Sequence, residues 1–577
     1  MKKLSLVTLV VLAMVVMLAA QESPISDYVE EFRGDTAVVL PEYLYEAITY
    51  DTANVPEGRV YLLKAGELYE LGSNPTTKSD RHTVIVGEAT EPLYNGDPQK
   101  MFPVICGKGG NSGGINPGGD LTLKNVCIVP ASAEGTLGWT FFWFTQPNCR
   151  ITLENCIAER TRWVIIASNA VAGTRVYIRD SYFVNLSGQE CRRNGGVYDN
   201  VDNATDTIWV ENSTHVVAQG MMYKFRNYPI KLLMFNHNTF INCAGIIFET
   251  NGFQSRWVVT NNIFVNSNVQ PYTYIDEDFP EVDQDKLPLG IINVDTLPSD
   301  MDQVDRKVLV DRNLVYWDSR LLNLAQYMKD NNINNTDEWY DQTIKMNTRT
   351  KAMFDDDNNW PYLVEGTWYE KLPNFTDPRN LLTTYVDTLR DFAINTMDIT
   401  KAVILPDWRL VFVGSDFYVY PDWPVPIDLS YSDDDIVDAD GYPIGDLNWF
   451  PDQKSSWLQI RDNQYEELLA ALDEGRLPQG VGVREENNVL KGFKVNQNYP
   501  NPFNPTTNIT FTLPHSGKVT VKVFDMLGRE VTTLMNGEGI AKTYNITFDG
   551  SNLASGVYFY TVEFAGQKIT KKMVLMK

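Results

Sequence analysis

Cysteine is scarce in this chain of 577 residues. Six cysteines are too few for a disulfide scaffold at this length, and none has the spacing of zinc ligands. They serve either as disulfide partners in an oxidising compartment or as small buried spacers, and the sequence leaves both interpretations open. The cysteines lie at positions 106, 127, 149, 156, 191 and 243.

Histidine is scarcer still, with four residues at positions 82, 215, 237 and 515. His215 and His237 fall in neighbouring copies of a repeat described below, which allows them to approach each other. Two imidazoles make an incomplete metal site, so side-chain packing is the favoured interpretation.

A net positive charge is missing as well. Asp and Glu number 74 against 49 Lys and Arg, which gives a net charge of -25 and excludes the basic face that nucleic-acid binding needs. The charge is uneven, because residues 489–577 hold 10 Lys and Arg but only 5 Asp and Glu. The acidic excess therefore lies in the rest of the chain, where it favours solubility.

Long apolar runs are absent after the first twenty residues. Two lysines precede the apolar run from Leu4 to Leu18, and two alanines end it. This pattern predicts a cleavable secretory signal over residues 1–20, since the run is short for a membrane helix. No Cys follows the alanines to accept a lipid. We expect an exported protein without a transmembrane segment once the signal is removed.

The chain is instead rich in one short repeated pattern between residues 59 and 316. Each copy alternates apolar with other residues and then has a polar residue, usually Asn or Ser, before a bulky apolar one. Alternation in short runs predicts strands, and their repetition predicts a solenoid. The copies are LTLKNVCIV from Leu121, ITLENCIA from Ile151, VYIRDSYFVN from Val176, IWVENSTHVV from Ile208, LLMFNHNTFIN from Leu232, WVVTNNIFVN from Trp257 and VLVDRNLVYW from Val308.

The polar position of the repeat has a structural explanation. In a parallel β-solenoid the coils stack about 4.8 Å apart, so Asn side chains at one turn bond each other from coil to coil. Asn also tolerates the left-handed backbone of a sharp turn. We align Asn125, Asn155, Ser181, Ser213, Asn238, Asn262 and Asn313, at intervals of 30, 26, 32, 25, 24 and 51 residues. The last interval holds either one long insertion or an unseen coil.

Apolar residues two apart in each copy are expected to stack inside the solenoid. Phe183, Phe240 and Phe264 fall in one such row. The repeats, with RVYLLKAGELYEL from Arg59 and TVIVGE from Thr83 as a first coil, resemble the pectate-lyase-like superfamily. This resemblance implies a right-handed parallel β-helix over residues 21–316. It does not fix activity, because the fold carries lyases, hydrolases, adhesins and inert surface proteins.

Residues 317–455 lose the repeat and are rich in Trp, Tyr, Asp and Pro. They predict an irregular cap of ordered loops and short helices packed on the β-helix. One segment in it, GYPIGDLNW from Gly441, is similar to a motif of β-helix proteins that carry the C-terminal domain described next. Residues 456–488 predict a helix that stops at Gly475, followed by a linker.

Residues 489–577 predict a small immunoglobulin-like β-sandwich, because alternating strands are separated by turn residues. Four motifs occur in order. They resemble the type A sorting domain of type IX secretion cargo, which implies recognition of residues 489–577 by the outer-membrane secretion machinery. The resemblance also implies release from the cell or attachment to its surface. The motifs are NYPNPFN from Asn498, DMLGRE from Asp525, GVY from Gly556 and KKMVL from Lys571.

Candidate catalytic residues come from the chemistry that enzymes of the resembled superfamily use in a groove along the parallel sheet. Elimination needs a Lys or Arg base and a partner that neutralises an acid, often Ca²⁺. Stacking of coils is expected to bring Arg160, Arg193 and Lys224 together, although a solvated face would look the same. Arg226 and Glu211 complete the candidate set. The signatures of β-helix hydrolases are absent.

Calcium is a second candidate ligand. Ca²⁺ takes six to eight oxygen atoms, which an acidic loop offers, but EF-hand spacing is absent and the alternative is a solvated loop. The candidate ligands are Asp433, Asp434, Asp435, Asp438 and Asp440.

The missing catalytic signature favours a non-catalytic protein that binds polysaccharide or another surface, or builds an extracellular layer. The alternative is a polysaccharide lyase or hydrolase acting in a groove of the β-helix. A groove with Lys or Arg beside clustered carboxylates would indicate the enzyme. Exposed tryptophans would stack on sugar rings, whereas buried ones would close the solenoid.

Overall fold

The structure is a computed structural model that describes most of residues 25–577. The predicted signal over residues 1–20 lies outside the described residues. The chain divides into two compact units, residues 1–480 and 481–577. The undescribed positions within residues 25–577 are 53–54, 56–57, 89–101, 133, 135, 170, 187–192, 227, 251–253, 274–286, 296–305, 334–338, 378–379, 396–429, 434, 482–492, 496, 499, 514–516 and 540–541.

Three long sheets form the first unit. Sheet 1 contains, among the described residues, β1 Val29–Arg33, β2 Thr36–Val39, β3 Val60–Leu63, β5 Thr83–Gly87, β7 Leu121–Lys124, β10 Arg150–Glu154, β13 Thr174–Arg179, β16 Thr205–Glu211, β19 Ile230–Asn236, β22 Arg256–Thr260, β25 Lys307–Asp311 and β28 Leu363–Glu365. Sheet 2 contains β4 Leu68–Leu71, β6 Val104–Gly107, β8 Cys127–Ser132, β11 Ile157–Glu159, β14 Tyr182–Leu186, β17 Thr214–Ala218, β20 Thr239–Cys243, β23 Ile263–Val265, β26 Asn313–Tyr316 and β29 Trp368–Glu370. Sheet 3 contains β9 Phe142–Trp143, β12 Val164–Ala167, β15 Gly196–Asp199, β18 Tyr223–Phe225 and β21 Phe248–Thr250.

Shorter elements complete this unit. Two antiparallel strand pairs are β24 Tyr272–Thr273 with β27 Trp339–Tyr340 and β30 Phe375–Thr376 with β31 Ser430–Tyr431. The α-helices in the described ranges are α1 Leu44–Tyr50, α2 Leu324–Asp330, α3 Thr348–Phe354, α4 Tyr385–Ile394, α5 Pro451–Trp457 and α6 Arg461–Glu474. Short 3₁₀ helices span Ser26–Tyr28, Pro41–Tyr43, Ser319–Leu321 and Leu447–Trp449.

In the central part of the first unit each coil adds one strand to each sheet, and apart from the antiparallel pair β1–β2 the neighbouring strands of these sheets pair in parallel. Strands β16, β17 and β18 make one coil and pair with β19, β20 and β21 of the next. The chain is therefore a parallel β-helix, as the repeats predict. Val259 of β22 lies opposite Val310 of β25, so the interval of 51 residues holds one long insertion and no extra coil.

The β-helix also continues past the predicted end at residue 316. Strand β28 pairs in parallel with β25, and β29 pairs in parallel with β26. These strands have three residues each and follow a long insertion, so the sequence shows no repeat there.

The sequence predicts two roles for asparagine in the turn between sheets 1 and 2, a left-handed backbone and a hydrogen bond from coil to coil. In the structure two adjacent positions share these roles. The left-handed residues include Asn125, Asp180, Asn212 and His237, at φ of 45 to 57°. In the earlier coils the left-handed residues bond each other directly, since Asn155 Nδ2 donates to Asn125 Oδ1 at 2.8 Å. In the later coils the residue after the left-handed position forms the ladder, because Asn238 and Asn262 donate Nδ2 to the Oδ1 of Asn262 and Asn313 at 3.0 Å. The predicted alignment therefore slips by one residue after Asn155.

The predicted aromatic row exists and has one more member. Phe183, His215, Phe240 and Phe264 stack in order with centroids 5.1, 4.3 and 5.2 Å apart, and their rings lie within 10° of parallel. His215 is therefore part of the core.

The cysteines also pack as core residues. The five described cysteines are free thiols and are buried, as the spacer interpretation predicts. Cys191 lies outside the described residues.

A clasp, defined as residues 441–454, crosses the turn between sheets 1 and 2 over four coils. Its contacts are Gly445 N to Asn261 O at 2.7 Å, Thr214 Oγ1 to Asp446 Oδ2 at 2.7 Å, Asn448 Nδ2 to Asn212 O at 3.0 Å and Lys454 Nζ to Asp180 Oδ1 at 2.6 Å. Gly445 has φ of 79° and an added Cβ would lie 2.5 Å from Ile263 Cδ1, so glycine is required there. The GYPIGDLNW segment thus packs on the β-helix.

Helix α6 covers the outward face of sheet 1. Its Tyr465 and Leu468 belong to a buried cluster with Met234, Val258 and Leu309, which lie in one outward row of successive strands. The helix ends at Gly475, which has φ of 65° as a C-cap. This part of the sheet is closed to solvent.

The second unit is a small β-sandwich. Strands β32 Lys494–Val495, β33 Thr506–Leu513 and β36 Lys542–Asp549 form one antiparallel sheet, and β34 Gly517–Phe524, β35 Glu530–Gly539, β37 Gly556–Phe564 and β38 Gln567–Leu575 form the other. Alternate residues of both sheets meet in one core, which includes Ile509, Phe511, Val521 and Tyr560.

Candidate functional site

Among the described tryptophans, three are fully buried, seven are half-buried and one is exposed. Trp257, Trp339 and Trp457 are fully buried, whereas 46% of Trp139 is exposed. Trp143 and Trp163 are half-buried and lie beside it. We call Trp139, Trp143, Trp163 and Arg162 the tryptophan cleft.

Stacking of two coils assembles the tryptophan cleft. Trp143 ends β9, and Trp139 lies in the turn before that strand. Trp163 lies in the turn before β12, one coil further along, and its backbone N–H donates to Trp139 O at 3.2 Å. The Arg162 N–H donates to Gly138 O at 2.8 Å. Residues about 24 positions apart in sequence thus become neighbours on the surface.

The rings of the cleft are angled, not coplanar. The Trp139 and Trp163 centroids are 6.5 Å apart with the rings at 78°, and those of Trp143 and Trp163 are 6.2 Å apart at 59°. Arg162 Cζ lies 4.1 Å from the Trp139 centroid, in cation–π geometry. The cleft therefore offers ring faces in different directions, with a guanidinium group against one of them.

The buried carboxylate of Asp199 supports the tryptophan cleft through a hydrogen bond. Asp199 Oδ2 accepts the indole N–H of Trp163 at 3.0 Å, and both Asp199 oxygens accept from Arg226 at 2.8 Å. Lys224 Nζ lies 3.8 Å from Asp199 Oδ2. Asp199 itself has no exposed surface. Two cations thus neutralise this carboxylate, and its hydrogen bond fixes the Trp163 ring.

Sheet register explains why Trp163 reaches Asp199. Trp143, Ala167 and Asp199 are opposite one another on β9, β12 and β15. Trp163 contacts both ends of this column, and the residue between those ends is the small Ala167.

Of the four predicted basic residues, Arg193 and Lys224 are buried, and Arg160 and Arg226 are half-buried. Lys224 and Arg193 are 2% and 1% exposed. Lys224 Nζ donates to Asn194 Oδ1 at 3.5 Å, so the coil stacking brings Lys224 next to the residue that follows Arg193. Arg226 joins Lys224 at Asp199, and Arg160 is a half-buried left-handed residue after β11, with φ of 57°.

Glu211 lies elsewhere, on sheet 1. It is 2% exposed, accepts from Arg461 Nη2 of α6 at 2.6 Å and forms an ion pair with Arg179, whose Nε lies 3.0 Å from Glu211 Oε1. This carboxylate binds the covering helix to the β-helix and is not part of the tryptophan cleft.

The two central histidines do not share a site. His215 lies in the aromatic row, with Nε2 2.9 Å from Tyr223 Oη, and burial lowers its pKa to about 3. His237 is in the next coil, where its Nε2 is 3.3 Å from Asp438 Oδ2. Both rings serve packing.

The calcium candidates are used for other contacts. Asp438 accepts Gln464 Nε2 at 2.7 Å and backbone N–H groups of Asp440 and Tyr442, and Asp440 accepts the same Gln464 at 3.0 Å. Asp433 Oδ2 accepts the Asn374 N–H at 2.7 Å. Asp435 lies 3.5 Å from Lys371 Nζ, and Asp434 lies outside the described residues. In the described ranges, no three His, Cys, Asp or Glu side chains form a metal-binding group.

Sequence reasoning did not find the tryptophan cleft, although it left exposed tryptophans as an open possibility. The available signals were two short aromatic turns in neighbouring repeats, GWTFFWF from Gly138 and RTRW from Arg160. Neither has strand periodicity, so their juxtaposition depends on coil stacking that the sequence does not reveal.

Comparison with known proteins identifies the C-terminal unit. Residues 497–576 match the family described as a secretion system C-terminal sorting domain. Searches of curated proteins and of solved structures find no match. Within the part of the chain that the structure describes, none of the helices combines the length and apolar character of a membrane span. The sorting domain marks this chain as cargo of the type IX secretion system, which carries it to the cell surface or the extracellular space.

Proposed function

We propose that this exported protein binds polysaccharide through the tryptophan cleft and catalyses no reaction on it. Sugar rings present C–H bonds that pack on the negative face of an indole ring. The cleft supplies such faces on the outside of an exported β-helix. The observation that carries the proposal is the exposed Trp139 ring with Arg162 beside it.

The burial of the candidate bases supports binding over elimination. A general base must lie within hydrogen-bond distance of the substrate proton that it removes. Lys224 and Arg193 are 2% and 1% exposed, and Lys224 is engaged with Asp199 and Asn194. The covering of sheet 1 by α6 further supports this choice, because a groove along that sheet is closed there.

Replacing Trp139 with Ala tests the proposal. Loss of the exposed ring is expected to weaken polysaccharide binding at least about tenfold, since burial of a large apolar side chain contributes on the order of 1.5–3 kcal/mol. Retardation in native gels that contain a panel of soluble polysaccharides measures the affinity. The same incubations are examined for new double bonds and reducing ends.

Tyr327→Ala is the matched control. Tyr327 is 38% exposed and has Arg390 Cζ 4.5 Å from its ring centroid, so it repeats the exposed aromatic and guanidinium pair at another place. We expect this variant to bind like the wild type. Equal retardation of all three proteins, or no retardation by any polysaccharide, would reject the proposed site. Release of products would show an enzyme instead.

A further inference from the structure

We propose that the tryptophan cleft selects single, soluble glycan chains over flat crystalline polysaccharide faces, and that Asp199 is the positioning residue that sets this selectivity. The inference rests on the proposed function, since it concerns the form of the ligand at the same site. It follows from the ring angles and from the hydrogen bonds that maintain them.

The ring angles exclude a flat ligand. A crystalline face contacts several aromatic rings at once only when those rings share a plane. Trp163 is at 78° to Trp139 and at 59° to Trp143, so a flat face that lies on the Trp163 ring cannot also lie on either of its neighbours. Centroid separations of 6.5 and 6.2 Å are small enough for the three rings to line one narrow chain.

Asp199 maintains these angles. Indole rotation about the side-chain bonds of Trp163 would break its hydrogen bond to a carboxylate that has no exposed surface. The carboxylate cannot follow the ring, because Arg226 binds it through two nitrogens at 2.8 Å and Val201 N–H donates to it at 2.9 Å. A ring fixed in its bound orientation loses less conformational entropy when the ligand binds.

Two substitutions separate this positioning role from the ring itself. Asp199→Asn replaces one acceptor oxygen with a donor, so Trp163 and Arg226 compete for the remaining oxygen. Trp163→Phe keeps an aromatic ring but removes the indole N–H. Trp163→Phe leaves the buried ion pair between Asp199 and Arg226 in place. It therefore still tests the positioning role if Asp199→Asn fails to fold.

Asp51→Asn is the matched control. Asp51 and Arg59 also form a buried ion pair, with Nε and Oδ2 2.8 Å apart and exposures of 1% and 5%, and Tyr61 Oη donates to the same carboxylate at 3.2 Å. This pair lies in the first coil and touches no residue of the cleft in the described contacts. Its loss is expected to lower the Tm without changing glycan affinity.

The experiment measures binding of the full chain to soluble polysaccharides and to crystalline cellulose and chitin, below the Tm of every variant. The wild type is expected to bind at least one soluble polymer and neither crystalline one. Asp199→Asn and Trp163→Phe are expected to bind that polymer roughly tenfold more weakly, whereas Asp51→Asn binds it like the wild type. Indole fluorescence is expected to change on binding in the wild type and to change less in Asp199→Asn.

Three results decide the inference. Binding of the wild type to a crystalline face as tightly as to a soluble chain overturns the selectivity. Unchanged soluble-chain affinity in both Asp199→Asn and Trp163→Phe, together with weak binding by Trp139→Ala, overturns the positioning role and leaves the proposed function standing. Absence of binding to every polymer rejects the proposed function itself.

Discussion

At the scale of single residues, His215 shows how a titratable group can belong to a hydrophobic core. It stacks between Phe183 and Phe240, and its Nε2 lies 2.9 Å from Tyr223 Oη. Full burial disfavours the imidazolium, which lowers the pKa from 6.5 to about 3. The folded protein therefore holds this ring neutral over the whole physiological pH range.

This burial predicts acid sensitivity. Below pH 6.5 the unfolded chain binds a proton at residue 215 that the folded chain refuses until about pH 3, so stability falls as the pH falls through this window. The expected loss from this group is on the order of 2 kcal/mol between pH 7 and pH 5. His215→Phe keeps the row but removes the titration, so its Tm should depend less on pH over that interval.

Thermal unfolding of both proteins at several pH values measures the difference. His82→Gln is the control, because His82 is only half-buried, so burial lowers its pKa without enclosing the ring in the core. Phenylalanine leaves the Tyr223 hydroxyl without its partner, so a constant loss of stability is expected at all pH values. An acid dependence equal to that of the wild type would contradict the assignment.

At the scale of elements, the clasp over residues 441–454 joins successive coils through side chains that the sequence motif supplies. Asp446 is its centre, since the carboxylate accepts from Thr214 Oγ1 at 2.7 Å and from the Asn448 N–H at 2.9 Å. Burial raises the pKa of Asp446 to about 7, against the opposing effect of these hydrogen bonds. The clasp therefore holds a carboxyl group that favours its neutral form.

The sign of the pH effect at Asp446 is opposite to that at His215. Above pH 3.8 the unfolded chain releases the Asp446 proton while the folded chain retains it up to about pH 7, so stability falls as the pH rises through this window. Asp446→Asn removes the titration. Its stability relative to the wild type is expected to increase by about 2–3 kcal/mol between pH 5 and pH 8. Denaturant unfolding at both pH values checks this, and a constant difference would contradict it.

The same elements show what the sequence could predict. Alternation in the repeats predicts the strands, and Phe183, Phe240 and Phe264 predict the aromatic row correctly, because in-register stacking follows from periodicity. His215 completes that row although its residue type gives no hint of it. Burial depends on the neighbours above and below in the stack, which the sequence of one coil does not contain.

The tryptophan cleft shows more clearly what could not be predicted from the sequence. Trp139 and Trp163 lie in turns, where no periodicity predicts which way a side chain points. Asp199, the hydrogen-bond partner of Trp163, belongs to a third coil. Sequence analysis selected the cations around Asp199 for their chemistry and left open whether they were accessible. Exposure and side-chain angle, which decide the candidate site, arise only when the coils are stacked.

At the scale of the whole molecule, the balance of charged residues differs between the two compact units of the chain. Residues 489–577 hold twice as many basic as acidic residues, while the whole chain carries a net charge of -25. The acidic excess thus belongs to the unit that contains the tryptophan cleft. A net charge far from zero favours solubility.

Removal of the sorting domain tests the export route. The secretion machinery is expected to read residues 489–577, so a chain without them should cross the inner membrane and remain in the periplasm. Fractionation of cells and protease treatment of intact cells measure where the protein lies. Full-length Trp139→Ala is the control, since it keeps the sorting domain and should reach the surface or medium like the wild type. Normal surface delivery of the truncated chain would contradict recognition through this unit, because the β-helix alone would then carry the export signal.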